Sequence, residues 1–276
     1  MRWSRQLSDG IAYHYNANSK VDKKALRIVF IHGVGLRAES WYRQLSAFDT
    51  QYHCYVIDMP GHGESELLAD SQLTLDDFSG VLKNFIKTVV RQPAIIVGHS
   101  LGAMTALQTA VSYPEVVRGV AALNAIYDRS DNAAKNVQTR AESLLNDLKQ
   151  NVSDQPIARW FGAELEYRDD AELCRAWLDN GNRLGYARAY QMFADLVGIE
   201  AADLKTIKAP ALFLTGEWDI NSTPEMSLAM ADILPNAEAF IAPKARHMAQ
   251  MTHADNINAA LAKFFTQCAA YNVVDA

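Results

Sequence analysis

The sequence predicts an α/β fold with a mostly parallel central sheet that is covered by helices on both faces. Two observations support this prediction. Short apolar runs typical of buried strands alternate with helical patterns along the 276 residues, and the alternation stops between about residues 128 and 200. That stretch has only helical patterns, which indicates a helical insertion. We expect a core domain over 1–127 and 201–276 and a helical cap, or lid, over 128–200.

The first half of the chain supplies four short elements and one long helix. The four are two strands, a helix and a further strand, predicted at Ile11–Tyr15, Ile28–Ile31, Glu39–Phe48 and Cys54–Ile57. The long helix is amphipathic and is predicted over Leu75–Arg91. Thr74 is suited to cap its N-terminus, and Asp76 and Asp77 favour the positive end of the helix dipole.

The remaining core elements lie on both sides of the helical stretch. Before it come a buried strand, a helix and another strand, and after it come two strands and a final helix. They are predicted at Ala94–Val97, Leu101–Ser112, Val117–Leu123, Ala211–Thr215, Ala239–Ile241 and His253–Phe265. The helix before Tyr113-Pro114 ends there, because a proline disfavours helical backbone in the residue that precedes it.

The most informative motif is Gly98-His-Ser-Leu-Gly102, which follows a predicted strand and opens a predicted helix. This spacing is the nucleophile-elbow pattern, in which a serine lies at the apex of a sharp strand-to-helix turn. Small residues at 98 and 102 let the strand and the helix approach without a Cβ clash. The strained turn directs the serine hydroxyl into the open at the carboxyl end of the sheet. Ser100 is therefore the predicted nucleophile.

A serine hydroxyl needs a base to take its proton, and two histidines follow Ser100 in the chain. His247 lies on a loop just after the strand predicted at Ala239–Ile241. His253 falls at the start of the last helix. A base that must reach across the top of the sheet belongs on the loop, so we predict His247 as the general base.

The acid that orients the histidine is expected to follow the preceding strand. Asp219 comes after the strand at Ala211–Thr215, in a Gly-x-x-Asp turn that directs its carboxylate back over the sheet. Glu217 and Asp128 are alternatives, and Asp219 could instead cap the helix that begins near Pro224. We predict Asp219 as the acid.

An oxyanion hole requires two backbone N–H donors, each worth roughly 3 kcal/mol of transition-state stabilisation. An apolar strand runs into His32-Gly-Val-Gly35, where the glycines free the backbone so that the Val34 N–H can point at the site. Leu101, at the N-terminus of the helix after the nucleophile, supplies the second donor. His32 precedes the glycine turn, so we expect it to brace the loop through a hydrogen bond rather than act as a base.

Five motifs occur in order and at normal distances: His32-Gly-Val-Gly, Asp58-Met-Pro-Gly-His-Gly-Glu-Ser65, Gly98-His-Ser-Leu-Gly102, Gly216-Glu-Trp-Asp219 and Ala245-Arg-His247. Together they resemble the α/β-hydrolase superfamily over nearly the whole chain apart from its middle. Within it the chain looks most like carboxylesterases related to pimeloyl-carrier-protein methyl ester esterase, and almost as much like enol-lactonases of aromatic catabolism. The resemblance also implies that Val34 and Leu101 form the oxyanion hole, although those esterases often have a tryptophan where this chain has Val34.

Composition narrows the class of protein and its partners. A net charge of −6 and a pI near 5.6 argue against nucleic-acid or anionic-membrane partners, and no run approaches the length needed to span a membrane. The three cysteines, Cys54, Cys174 and Cys268, are far apart and look like reduced residues of a cytoplasmic protein. No dinucleotide-binding or metal-binding spacing is present, so we expect no cofactor and no metal. We also expect the protein to be a monomer or a homodimer.

These features predict a serine carboxylic ester hydrolase that cleaves a small ester or lactone through an acyl-enzyme. One group of alternatives is a carbon–carbon-bond hydrolase or perhydrolase of the same fold, and another is a non-catalytic module that binds a small ligand. Epoxide hydrolases and haloalkane dehalogenases need an aspartate at position 100, so Ser100 excludes both.

The net charge of the predicted cap indicates what kind of substrate to expect. Residues 128–200 contain 13 acidic and 9 basic residues, and this net charge of −4 does not suit an acidic carrier protein. We therefore expect a small, free substrate with an apolar or aromatic acyl part. Some arginines could still line one face, namely Arg159, Arg168, Arg175, Arg183 and Arg188. The substrate pocket is predicted to include His32, Trp160, Tyr190, Trp218 and Met248.

Overall fold

A computed structural model describes residues 2–15, 18, 20–69, 72–271 and 273. Its described residues form one eight-stranded sheet with strand order β1-β2-β4-β3-β5-β6-β7-β8. The strands are β1 Gln6–Ser8, β2 Ile11–Tyr15, β3 Arg27–Ile31, β4 His53–Ile57, β5 Ala94–His99, β6 Val117–Leu123, β7 Ala211–Gly216 and β8 Ala237–Ala242. Strand β2 pairs antiparallel with both β1 and β4, and the other neighbours pair parallel, which confirms the predicted mostly parallel sheet.

Helices cover the sheet and also form the insertion. The helices are α1 Tyr42–Phe48, α2 Leu75–Phe85, α3 Leu101–Ser112, α4 Asp131–Asn146, α5 Asp154–Phe161, α6 Arg168–Asn180, α7 Arg183–Asp195, α8 Ala201–Leu204, α9 Pro224–Ile233, α10 Ala249–Thr252 and α11 Ala254–Ala270. We call α4 to α8, which lie between β6 and β7, the helical insertion. It contains no strand in the part of the chain that the structure describes, as the sequence predicts.

The two faces of the sheet bury different residues of the same strand. In β3, Ile28 and Phe30 belong to one apolar cluster and Val29 and Ile31 to another, and all four are fully buried. This alternation follows from the two-residue period of a strand, and it explains why the strand is apolar throughout. The first cluster includes apolar residues of α1 and α11, and the second those of α2, α3 and the insertion.

Several element boundaries differ from the predicted ones. The predicted helix 75–91 is α-helical only to Phe85, continues as a π-helical turn, and ends with Arg91 at φ 60°. Its predicted N-cap is confirmed, because Thr74 accepts the Asp77 N–H and the Asp77 carboxylate accepts the Thr74 N–H. Strand β1 was not predicted, since Gln6–Ser8 is short and mostly exposed and so lacks an apolar alternation.

The helical insertion packs directly on two loops of the core. A Cβ on Gly185, in α7, would lie 2.1 Å from the carbonyl oxygen of Gly61, so only glycine allows this approach of two backbones. Gly35 follows β3 with φ 77°, and the side chains of Leu178 and Tyr186 cover it. The position of the insertion is thereby tied to the loops that follow β3 and β4.

No helix among the described residues is both long enough and apolar enough to cross a bilayer. No group of three or more His, Cys, Asp or Glu side chains among them is arranged to hold a metal ion.

Candidate active site

Ser100 lies in the sharp turn between β5 and α3, with φ 54° and ψ −116°. A non-glycine residue in such a conformation stores roughly 1–3 kcal/mol of strain, which persists only when its surroundings enforce it. Here a Cβ on Gly98 would lie 2.1 Å from the Gly102 oxygen, and one on Gly102 would lie 2.4 Å from the Ile31 oxygen. The two glycines therefore let β3, β5 and α3 meet around the turn, and Ser100 borders a cavity.

His247 and Asp219 form a buried hydrogen-bonded pair. Nδ1 of His247 donates to Oδ2 of Asp219 at 2.7 Å, and Oδ1 of Asp219 accepts the backbone N–H groups of Asn221 and Ser222. Burial raises the pKa of the Asp219 carboxyl, but the His247 ring, the Asn221 N–H and the Asn124 amide outweigh burial and lower the pKa below its usual value. Asp219 is therefore an anion that holds His247 in the tautomer whose Nε2 can accept a proton.

The alternative acids are engaged elsewhere. Glu217 accepts the backbone N–H of Lys244 at 2.7 Å, and Asp128 occupies a left-handed turn with φ 47°. Within the described ranges neither carboxylate is hydrogen-bonded to His247. The helix that begins at Pro224 has no side-chain cap, so Asp219 does not cap it. The histidine's acid partner in this structure is Asp219.

Ser100 and His247 border the same cavity. No hydrogen bond joins their side chains among the described residues. Such contacts are often long before substrate binds and shorten in the substrate complex, so this arrangement is compatible with proton transfer between the two groups.

Two backbone N–H groups near the serine have no hydrogen-bond partner among the residues that the structure describes. Val34 borders the cavity that Ser100 borders, and Leu101 is the first residue of α3. Neither the Val34 N–H nor the Leu101 N–H has a hydrogen-bond partner within the described ranges. A pair of unpaired donors beside a nucleophile can stabilise the oxyanion of a tetrahedral intermediate, and the helix dipole of α3 adds to this effect.

The histidines beside these motifs have bracing hydrogen bonds. Nδ1 of His32 donates to the Gly33 carbonyl oxygen at 2.8 Å, and its Nε2 accepts the Met59 N–H at 2.9 Å. His32 thus ties the loop after β3 to the end of β4, which is the bracing role that the sequence predicts. Nε2 of His99 donates to the His247 carbonyl oxygen at 2.9 Å, and this bond fixes the loop that carries the base.

Burial keeps these two bracing histidines neutral. It lowers the pKa of His32 and of His99 to about 3, and the neighbouring His62 and His247 rings add to the respective shifts. The unfolded chain binds protons at these rings below about pH 6.5. Each histidine therefore reduces the free energy of unfolding by about 1.4 kcal/mol per pH unit as pH falls from 6.5 towards the folded value.

We expect His99→Gln to weaken this pH dependence by the contribution of one histidine. The glutamine amide can still donate to the His247 carbonyl oxygen, but it does not titrate. Urea unfolding of both proteins at pH 7, 6 and 5 measures the slopes. Parallel slopes for the variant and the unchanged protein would show that His99 is not held neutral by the fold.

Two further features of the site involve residues outside the motifs, namely Asn124 in one and Arg5 and Glu39 in the other. Nδ2 of Asn124 donates to Oδ2 of Asp219 at 2.7 Å, so Asn124 helps to orient the acid. The buried carboxylates of Glu39 and Asp58 flank Arg5, and Asp58 also accepts the Ala38 N–H at 2.8 Å. This cluster fixes the chain just after the oxyanion loop. The position of Asn124 at the carboxyl end of a central strand is the one signal that could have indicated it.

The cavity that Ser100, His247 and Val34 border, the candidate catalytic cavity, has a volume of about 220 Å³. Of the five predicted pocket residues, Trp160 and Tyr190 line it and three do not. His32 is enclosed beneath the loop that it braces, and Met248 is fully buried in the core. Trp218 is 44% exposed and faces a second cavity and the Arg246 guanidinium instead. The prediction of these three as pocket residues is therefore wrong, because His32 and Met248 are fully buried away from the cavity and Trp218 borders the other cavity.

Two arginines of the cavity wall have no acidic partner. Arg129 is 6% exposed, lies over the Phe193 ring and donates to the carbonyl oxygens of Phe193 and Ala194. Burial lowers the pKa of Arg129 to about 10, so the guanidinium remains charged at neutral pH. Arg159 also borders the cavity, and its Nε has no hydrogen-bond partner. Among the described residues, no carboxylate forms a salt bridge with either arginine.

The comparisons with curated proteins and solved structures agree with the predicted resemblance. The chain is 37% identical over 259 residues to (E)-2-((N-methylformamido)methylene)succinate hydrolase of Acinetobacter baylyi, a match that covers 93% of this chain and 95% of that protein. It is 24% identical over 234 residues to pimeloyl-[acyl-carrier protein] methyl ester esterase of Aeromonas hydrophila, covering 82% and 90% respectively. The enol-lactonase structure from Burkholderia xenovorans superposes with a TM-score of 0.81, 21% identity, and coverage of 95% and 100%.

A family model agrees with these similarities. The model described as "alpha/beta hydrolase fold" matches residues 27–254, which include every motif from His32 to His247. That match covers more than half of the chain, and the sheet order and the elbow at Ser100 are consistent with it. The chain therefore belongs to the alpha/beta hydrolase family.

Proposed function

We propose that this protein is a serine hydrolase that cleaves a small carboxylic ester or lactone bearing a free carboxylate. The observation that carries the proposal is the shared cavity. Ser100, His247 and Val34 border it together with Arg129 and Arg159, neither of which forms a salt bridge with a carboxylate in the described part of the chain. The first three residues supply the chemistry of acyl transfer, and the two arginines supply positive charge for an anionic substrate.

The proposed reaction proceeds through an acyl-enzyme. Oγ of Ser100 attacks the substrate carbonyl carbon while Nε2 of His247 takes the hydroxyl proton. Asp219 stabilises the resulting imidazolium, and the N–H groups of Val34 and Leu101 bind the oxyanion. His247 then gives its proton to the leaving oxygen as the bond to the acyl carbon breaks. A water molecule repeats the attack on the acyl group and releases the acid and free Ser100.

The arginines support an anionic rather than an apolar acyl part. A buried guanidinium without a carboxylate partner is energetically unfavourable, and a bound carboxylate would compensate it through a charge-assisted, bidentate contact. The net charge of −4 over residues 128–200 does not describe the cavity wall, because Arg129 and Arg159 face inward there. We therefore replace the expectation of an apolar substrate by a small acid.

The named substrate of the Acinetobacter baylyi relative supports this choice. That name contains succinate, a compound with two carboxyl groups, together with an N-methylformamido group. The name also supports a second candidate function, hydrolysis of an amide-bearing acid at the same site. The triad and the oxyanion donors suit both, because esters and amides react through the same tetrahedral intermediate.

The test is a matched panel of substrates given to the purified protein. Monoethyl succinate and ethyl pentanoate present similar acyl chains with and without a carboxylate, and N-methylsuccinamic acid represents the amide. A neutral lactone and an enol-lactone complete the panel. We expect the highest kcat/KM for a carboxylate-bearing member, and an order of preference between ester and amide that selects one candidate. Turnover of no member would favour the non-catalytic module, and a preference for ethyl pentanoate would contradict the anionic substrate.

A further inference from the structure

Trp160 closes the catalytic cavity beside the base. It lies in α5, is 7% exposed, and its ring lies 6.0 Å from the His247 ring at an angle of 25°. The indole therefore runs nearly parallel to the imidazole, and it forms part of the wall of the cavity that Ser100 borders.

A second cavity of about 140 Å³ also borders Trp160. Its wall includes aromatic and cationic side chains, among them Phe161, Tyr167, Trp218, Arg246 and His253. Within the described ranges, Trp160 is the residue that the two cavities share. The indole is therefore a partition between them.

The proposed reaction places the leaving group of the substrate near this partition. His247 gives its proton to the leaving oxygen, so the leaving group must lie next to the imidazole. Trp160 packs along that imidazole. A leaving group larger than a short alkyl chain would thus meet the indole, whereas the acyl part extends from the serine towards the remaining wall.

We propose that Trp160 is a specificity-determining residue that limits the size of the leaving group, and that the cavity behind it is a latent extension of the leaving-group site. The proposal rests on the proposed ester hydrolysis at Ser100. Removal of the indole joins the two cavities and gives a longer alcohol an apolar surface to contact, formed by Phe161, Tyr167 and Trp218. The Glu164–Arg246 ion pair also lies in the wall of this second cavity. The apolar part of the wall suits an alkyl or aryl alcohol.

The experiment varies the alcohol while the acid stays constant. Monomethyl, monobutyl, monohexyl and monobenzyl succinate are assayed with the unchanged protein and with Trp160→Phe, Trp160→Leu and Trp160→Ala. For the unchanged protein we expect kcat/KM to fall by about tenfold or more from the methyl to the hexyl ester. For Trp160→Ala and Trp160→Leu we expect the ratio of methyl-ester to hexyl-ester kcat/KM to be about tenfold smaller than in the unchanged protein. A tenfold change is the scale of a few methylene contacts. Trp160→Phe keeps an aromatic ring at this position, so its ratio of methyl-ester to hexyl-ester kcat/KM should stay close to that of the unchanged protein.

Tyr190→Ala is the matched control, because Tyr190 lines only the catalytic cavity of the two. It removes an aromatic ring of comparable size without opening the partition, so its alcohol-length profile should keep the shape of the unchanged protein. Labelling of Ser100 by a fluorophosphonate shows in each variant that the elbow has folded. If Trp160→Ala does not fold, Trp160→Leu serves the same purpose with a smaller loss of volume.

The outcomes separate this inference from the proposed function. If the unchanged protein cleaves none of the esters, ester hydrolysis itself is wrong. If it cleaves the methyl ester, while Trp160→Leu and Trp160→Ala keep its dependence on alcohol length, ester hydrolysis stands and the partition is wrong. The same conclusion follows if Tyr190→Ala relaxes the dependence on alcohol length as much as Trp160→Ala does.

Discussion

Replacing Ser100 by alanine is expected to lower turnover of the best ester substrate by at least about 10⁴-fold. His247→Ala should have a similar effect, because the hydroxyl is a weak nucleophile without a base. The double variant should lose little more than either single one, since the residues act as one unit. Initial rates of the three variants and the unchanged protein, measured by proton release at constant pH, give these ratios.

Variants of two acidic residues and a measurement of folding are the controls for this prediction. Asp219→Asn should also lower turnover by about 10⁴-fold, because it disturbs the tautomer that His247 needs. Glu217→Gln alters a carboxylate that binds the Lys244 N–H instead, so it should retain most of the activity. Thermal unfolding shows that each variant has folded. Near-normal turnover by Ser100→Ala would overturn the mechanism, and an inactive Glu217→Gln beside an active Asp219→Asn would transfer the acid role to Glu217.

Replacing Arg129 by methionine is expected to lower kcat/KM for monoethyl succinate by about 10²-fold, with a much smaller change for ethyl pentanoate. The reason is that truncating one partner of a buried, hydrogen-bonded charge pair removes several kcal/mol of binding, about 2–5 kcal/mol in comparable cases. Arg159→Met should act in the same direction with a smaller effect, because Arg159 is only partly buried. For each variant, kcat/KM for monoethyl succinate divided by kcat/KM for ethyl pentanoate gives its preference for the anionic substrate.

Arg175→Met is the matched control for the two cavity arginines. Arg175 also belongs to the helical insertion, but it pairs with Asp154 and does not border the catalytic cavity. Its replacement should leave the ratio of kcat/KM for the anionic substrate to kcat/KM for the neutral substrate unchanged. Arg129 would support the fold rather than bind a substrate carboxylate if Arg129→Met lowered kcat/KM equally for both substrates. The same conclusion would follow if Arg175→Met lowered kcat/KM for the anionic substrate as much as Arg129→Met does.

The parts of this site that could be predicted depend on short local spacing. The elbow at Ser100 and the turn that carries Asp219 are each encoded within about five residues, and the order of such motifs along the chain is typical of the family. The sheet was predictable for a similar reason, because strands buried on both faces are apolar throughout. A short edge strand such as Gln6–Ser8 lacks that signal and was missed.

The parts that were missed depend on contacts between distant segments. Arg129 is one arginine of many in the sequence, and only the packing of α7 against it makes it a buried wall residue. Asn124 contacts Asp219 across 95 residues of chain. Trp218, which the sequence analysis includes in the pocket, neighbours Asp219, but the turn that buries Asp219 leaves Trp218 44% exposed. Neighbours in a turn point in different directions, so closeness in sequence does not establish a shared pocket.

The central claim is that Ser100 forms a covalent acyl-enzyme, and mass spectrometry of the quenched reaction tests it most directly. The protein is mixed with excess monoethyl succinate, acid-quenched within the first turnovers, and digested for peptide mapping. We predict a succinyl adduct on the peptide that contains Ser100, its disappearance on longer incubation without substrate, and its absence in Ser100→Ala. Steady turnover with no adduct at any quench time, together with no labelling of Ser100 by a fluorophosphonate, would contradict the claim.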